Sequence, residues 1–408
     1  MKKKNLLLLL LVAVMVAAMA GCGGGSGTSN DTAGPVADSA ADADADGASD
    51  EVDRSDWVKM DLNWASYLPE GDGDKLRFEF IDAAMEKHLP GYITFNKYFS
   101  GTLLTQDVML DGIRAGTTDI GFVDFAASGD FPVSKIWYYA SVNVASQTGG
   151  TAALTDWAQQ TQPDEYKDFV FLWGNCLGPA SFMTTFPIES VADIQGKQLN
   201  ATGAMQETLK SWGANPINMT TGEVYEAVRS GMIAGAYASF GSQARLGLTE
   251  VAPYATMVPM GSAVYGFLMN KDSFNRMPES QREAFMAAWD EAFYDGMMLQ
   301  WEKINQLVEP SIMAAAATVD WTFIDPDTAE YKEFASKSQG LLDEYLDSLD
   351  ARGIDGRAEY ANIQKYLDKW CANWWTFERH SELYKACADG TIEEYKANWS
   401  NPQPIPTR

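Results

Sequence analysis

The chain has 408 residues, with 56 acidic against 30 basic side chains and a formal net charge of −26. Such an acidic excess excludes nucleic acid and anionic membrane surface as electrostatic partners. With two histidines in all, His88 and His380, the chain has little scope for His-based catalysis or metal chemistry and asks for no cofactor.

In chain order, Lys2, Lys3 and Lys4 precede the apolar run "NLLLLLLVAVMVAAMA", and small residues lead to Cys22. This is the pattern of a secretory leader over 1–22, and a cysteine at the cut resembles a lipobox, with Cys22 as the lipid-modified terminus. Residues 23–56 carry Gly, Ala, Ser and Asp with almost no large apolar side chain, and are expected to form a disordered acidic tether. From Trp57 onward roughly 350 residues remain, enough for two domains.

Val58–Trp64 reads as a strand, and "GDKLRFEFIDAAMEKH" carries Leu76, Phe80 and Ala83/Ala84 at a helical period. "YITFNKYF" reads as a second strand, "TQDVMLDGIRAG" as a short helix stopped by Gly116, and "TDIGFV" as a buried strand. "FVFLWG", "NPINM" and "GAYASFG" repeat the strand theme, while "TTGEVYEAVRSG" starts on a Thr220–Glu223 capping box and stops at Gly231. The alternation predicts an α/β fold with largely parallel sheets. "IRAGTTDIG" echoes "VRSGMIAGA", as expected of two lobes built alike and sharing a cleft.

Beyond Pro278, Phe285, Trp289, Phe293, Met297 and Trp301 recur every four residues. They predict either one rod of about 35 residues, ~50 Å long, or two helices broken near Gly296. In 358–408 the segment "YLDKWCANWWTFERHSELYKACADG" reads as helical, with Trp370, Trp374 and Phe377 on one face, and is expected to pack on the first lobe or the rod. Cys371 and Cys387 are near enough in sequence for a disulfide in an oxidising compartment, leaving Cys176 as a lone buried thiol.

The ordered set "GTLLTQDVMLDGIRAGTTDIGF", "TTFPIESVADIQGKQL" and "LKSWGANPINMTTGEVYEAVRSGMIAGAY", with the helix after it, resembles the solute-binding receptors of tripartite ATP-independent periplasmic (TRAP) transporters, the DctP-like family. The resemblance implies a two-lobed periplasmic-binding-protein-like fold over 57–357, with a hinge, a long spine helix and a helical C-terminal extension. Lobe I would take 57–180 plus parts of 265–357, and lobe II 181–264. It also implies a small-molecule ligand closed between the lobes and membrane permease subunits as partners. The receptor would be extracytoplasmic, lipid-anchored to a bacterial membrane.

The family's Gly–apolar–Lys–apolar–Arg pattern, whose Arg pairs with a ligand carboxylate, stands here as Gly196, Lys197, Gln198, Leu199 and Asn200. A neutral amide replaces the charged fork, and Ala234 stands where the family often has Asp. By analogy Asn200 shares the cleft with Trp64, Tyr67, Gln106, Phe122, Asp124, Trp173, Asn175, Phe182, Tyr237, Phe240 and Gln243. Aromatic walls with one carboxylate suit an amine or a polyol, cation–π attraction reaching ~2 kcal/mol when desolvated. Arg245, with Lys97 behind it, could instead restore acid binding. No nucleophile elbow, phosphate loop or dinucleotide fingerprint marks an enzyme. A ligand-sensing lipoprotein for a signalling partner would present the same site, so that alternative stays open.

Overall fold

The computed structural model describes residues 53–126, 129–140, 147–177, 180–219, 221–258, 260, 263–297, 310–371, 377–391 and 393–394. The leader, Cys22, most of the predicted tether, Thr220, Trp301 and Trp374 lie outside the described residues. Among the described residues no helix is long and apolar enough to cross a membrane.

The chain begins β1 (Met60–Ala65), α1 (Asp72–His88), β2 (Ile93–Tyr98), α2 (Met109–Arg114), β3 (Ile120–Asp124), α3 (Ser134–Ala140), α4 (Gln147–Thr161) and β4 (Phe169–Cys176). It continues as β5 (Ala180–Thr184), β6 (Gln198–Asn200), α5 (Met205–Ser211), β7 (Asn215–Ile217), α6 (Thr221–Arg229), β8 (Gly235–Ser239), α7 (Phe240–Arg245) and β9 (Tyr254–Met257). Then come β10 (Val264–Asn270), α8 (Lys271–Asn275), α9 (Glu279–Asp290), α10 (Pro310–Ala316), β11 (Asp320–Phe323), α11 (Ala329–Asp350), α12 (Gly356–Cys371) and α13 (Phe377–Ala388).

The strands form two sheets, ordered β2-β1-β3-β10-β4 and β7-β6-β8-β5-β9-β11. In each, two parallel strands precede a central one, β3 or β8, whose other neighbour, β10 or β5, runs antiparallel. The echo seen in the sequence is this shared plan. α2 and α6 both end on left-handed glycines, Gly116 at φ 72° and Gly231 at φ 73°, before entering the central strands. The sheets are mixed, not largely parallel as expected. β5 and β10 are each reached from the other sheet, so no crossover helix sets their direction.

The chain passes from strand to strand between the sheets from Cys176 to Ala180 and from Met257 to Val264, and crosses a third time, back to the second sheet, between β10 and β11. The first two crossings leave from strand C-termini, so the C-terminal edges of the two sheets adjoin, the usual place for a ligand cleft. Of the returning chain, β10 and α9 pack with the first sheet, whereas α10 and β11 belong with the second.

A continuous core joins the halves, from Trp64, Trp173, Phe267 and Trp289 to Phe182, Trp212 and Tyr237. α11 spans it, 22 residues or about 33 Å at 1.5 Å per residue. Near its start Phe334 meets Trp212 edge-on at 4.8 Å, and near its end Tyr345 lies 4.7 Å from Tyr139. The Trp212 indole N–H donates to the Phe334 carbonyl and to Ser338 Oγ.

The predicted rod beyond Pro278 is α-helical only to Asp290 and continues as a π-helix over Glu291–Met297. The widened turn lies beside Phe80, which sits 2.6 Å from where a Cβ on Gly296 would be. Residues 298–309 lie outside the described residues.

The C-terminal extension covers both halves, where packing on the first lobe or the rod was expected. α12 lies on α4, with the Lys369 ammonium and the Trp370 indole N–H both on Asp156 Oδ2, at 2.8 and 2.9 Å. α13 instead stacks Tyr384 on Trp321, at 4.5 Å, beside the second sheet. This division also corrects the expected Cys371–Cys387 disulfide. Cys387 lies with Met313 Sδ, 3.5 Å away, while Cys371 abuts Gly149 at the start of α4; neither is in a disulfide.

Candidate functional site

Side chains alternate along a strand, so Phe122 and Asp124 of β3 share a face. In register, Tyr265 of β10 pairs with Asp124 on one side and with Asn175 of β4 on the other. Asp124, Tyr265 and Asn175 therefore form a row across three strands at the C-terminal edge of the first sheet. Phe122 stacks on Tyr265, centroids 4.8 Å apart and planes 24° off parallel, and Tyr67 tilts against Phe122 at 5.7 Å. β1 delivers Tyr67 two residues beyond its last strand residue, Ala65.

Asp124 accepts the Ala126 N–H at 2.9 Å through Oδ1 and the Gln106 carboxamide at 3.2 Å through Oδ2. Tyr67 Oη is buried without a hydrogen-bond partner. Burial, then the neighbouring Tyr265 and Asp124, push the Tyr67 phenol well above its ordinary pKa. Burial and then Asp124 do the same at Tyr265. Both phenols stay protonated, and both feel the carboxylate.

The second sheet brings the end of β6. Asn200 is buried at 8% exposure, and its Oδ1 accepts the Met219 N–H at 3.1 Å, tying β6 to the loop after β7. The carbonyl end of the amide is thus committed internally. Three residues on, Gly203 adopts φ 55°, and a Cβ there would lie 3.5 Å from Asp124 Oδ2. The end of β6 therefore faces the end of β3. Alongside, α3 and α5 join the halves. Glu207 receives the Tyr139 hydroxyl and pairs with Lys135 at 3.4 Å, and Tyr138 Oη lies 3.3 Å from Thr208 Oγ1.

Of the residues expected in the cleft, Tyr67, Gln106, Phe122, Asp124, Asn175 and Asn200 collect at this seam. The others do not. Trp64 lies on the same face further from the edge, enclosed by Phe78, Phe95, Phe267 and Trp289, and Trp173 is enclosed there by Phe267, Trp289 and Phe293. Phe182 and Tyr237 pack with Trp212 inside the second half, the Tyr237 hydroxyl donating to the Met260 carbonyl at 2.8 Å. Phe240 sits against Trp321 and Tyr384, and Gln243 donates to the Ser181 and Ala238 carbonyls. Their large rings and amides fill interiors. Arg245 is the exposed last residue of α7, and Lys97 pairs with Asp82 at 2.8 Å.

Two residues of consequence escape a sequence reading. Tyr265 enters through antiparallel pairing with a strand about 140 residues earlier, which no local pattern encodes. Arg77 of α1 is 6% exposed, with its guanidinium 4.9 Å from the Phe267 ring and 5.5 Å from Trp173, ion-paired to Asp74 at 2.5 Å. Burial lowers its pKa and Asp74 opposes that.

Residues 65–348 match the model of the bacterial extracellular solute-binding protein family 7, DctP. Among curated relatives, a solute-binding protein of Albidiferax ferrireducens is 25% identical over 293 residues, 67% of this chain and 85% of its own. The ectoine-binding periplasmic protein of Halomonas elongata is 27% identical over 183 residues, 40% of this chain. The alignments span only about half of some relatives, 52% of the Halomonas protein and 51% of a solute-binding protein from Chromohalobacter salexigens. Among solved structures, a TRAP periplasmic solute-binding protein from Desulfovibrio salexigens superposes with a TM-score of 0.67 at 24% identity, covering 77% of this chain and 97% of that one. With its two mixed sheets joined by paired crossings at a common edge, this chain belongs to the bacterial extracellular solute-binding protein family 7.

Proposed function

We propose that the protein is the extracytoplasmic receptor of a TRAP-type transporter, taking a small polar solute between its lobes and handing it to membrane permease subunits. The two lobes divide at the crossings beside Cys176 and Met257, and hinge motion there opens and closes the seam. Residues 1–22 direct export, Cys22 carries the lipid, and the acidic tether gives the receptor reach from the membrane. Tyr67, Phe122, Asp124, Asn175 and Tyr265 form one wall of the site, and Asn200 the facing one.

One observation carries this reading: the Tyr67 hydroxyl, buried at the seam with no partner. An unsatisfied buried polar group costs about 1–3 kcal/mol, and a bound solute offering an acceptor removes that cost. The family match, and small-solute receptors such as the ectoine-binding relative, support the same reading. Native mass spectrometry of the purified full chain is expected to show a small-molecule adduct that is lost on unfolding. Tyr67→Phe should lower its occupancy while leaving the circular dichroism spectrum unchanged. A chain that never carries an adduct, and that no solute stabilises, overturns the proposal.

A further inference from the structure

We infer that the solute carries a positively charged nitrogen, as an amine, amidinium or quaternary ammonium, which lies on the Phe122–Tyr265 stack with Asp124 as its counter-charge. The inference rests on the receptor reading above and adds the ligand's charge to it.

Phe122, 4% exposed, is packed behind Tyr265, which is partly exposed at the C-terminal edge of the sheet and can offer the solute a ring face. Phe122 and Tyr265 are nearly parallel at 4.8 Å, and Tyr67 extends the row at 5.7 Å. Such faces attract cations, more strongly once water is excluded. Asp124 stands at the end of the row on the same face, adding a full negative charge to the same field. Two of its partners, the Ala126 N–H and the Gln106 carboxamide, are dipoles that orient the carboxylate. Gly203 leaves the space beside Oδ2 free of a side chain.

The positions that would receive an anion are neutral or already matched. Asn200 and Asn175 are amides, and Asn200 has its oxygen on the Met219 N–H, leaving its NH2 as a neutral donor. Arg77 has its Nη1 on Asp74 and is held against the Phe267 and Trp173 rings, and Lys135, beside the seam, pairs with Glu207. A carboxylate closed into this seam would meet the field of Asp124 with amide and phenol donors in front of it. A nitrogen cation instead finds a charge partner and ring faces together, and burying a charge is tolerable only when it is paired. The remaining donors, the Tyr67 hydroxyl and the Asn200 NH2, suit an oxygen acceptor elsewhere on the same molecule. A polyol would use those dipoles but bring no counter-charge.

Isosteric probes isolate the charge. Choline and 3,3-dimethyl-1-butanol share a shape and differ by the charged nitrogen; benzylamine, benzyl alcohol and benzoate do the same on a ring. Calorimetric titration of the full chain should show the cationic member of each set binding at least tenfold more tightly than its neutral counterpart, with benzoate weakest. Asp124→Asn should abolish the preference, and Phe122→Leu should weaken the cations about tenfold. If Asp124→Asn does not fold, the choline ratio in the unaltered chain decides alone. Benzoate binding best, or dimethylbutanol matching choline, overturns the inference and leaves the receptor standing. Should every probe be silent, the mass of the co-purified adduct decides: a nitrogen cation supports the inference, any other solute sinks it alone, and no adduct together with no solute that stabilises the chain sinks both readings.

Discussion

Asn200 shows how one buried side chain ties two segments of the second half together. Its oxygen holds the Met219 N–H, fixing which end of the amide can face a solute. The departure from the family arginine is plain in the sequence, but the fate of the oxygen is a tertiary fact. The cysteines teach the converse. Spacing suggested a Cys371–Cys387 bond, yet the chain between them carries the two thiols onto different halves. Burial pushes the Cys371 thiol up to about 12, so little reactive thiolate forms near neutral pH. A non-reducing peptide map is expected to show no 371–387 linkage, and iodoacetamide at pH 8 should label Cys371 only once the chain unfolds. A 371–387 cross-linked peptide would contradict the placement of α12 and α13.

Among the elements, the strands and their helical connections were legible, because burial alternates with period two in strands and nearer four in helices. Pairing direction was not, since β5 and β10 look like any buried strand until their crossings are known. Of the two forms expected beyond Pro278, one rod or two helices broken near Gly296, the described residues give an α-helix to Asp290 and a π-helical turn over Glu291–Met297, while α11 bridges the halves. α12 shows what an extension needs in order to dock. Asp156, 1% exposed within α4, holds both Lys369 and Trp370. Asp156→Ala should destabilise the fold by about 2–3 kcal/mol in urea titrations, because it strands a buried indole N–H and removes a charged acceptor. A change below about 0.5 kcal/mol would mean that α12 is held by apolar contact alone.

For the whole molecule, the continuity of the core matters more than the division into lobes. Trp212, Phe334, Tyr139 and Tyr345 link the halves through α11, so the described body should unfold in one transition, its calorimetric and van't Hoff enthalpies agreeing within about 15%. Two separated transitions would show that the lobes are energetically independent. The sequence by itself determined an acidic α/β chain with two like halves, and an amide where the family clasps an acid. The first two follow from composition, periodicity and an internal echo, and the third from the resemblance to the family's motif. Only the tertiary structure decided that Trp64, Trp173, Phe182, Tyr237 and Phe240 are interior, and that Tyr265 joins Phe122 and Asp124 at the seam. Such placements depend on strand order and register between residues far apart in the chain, which side-chain pattern alone does not encode.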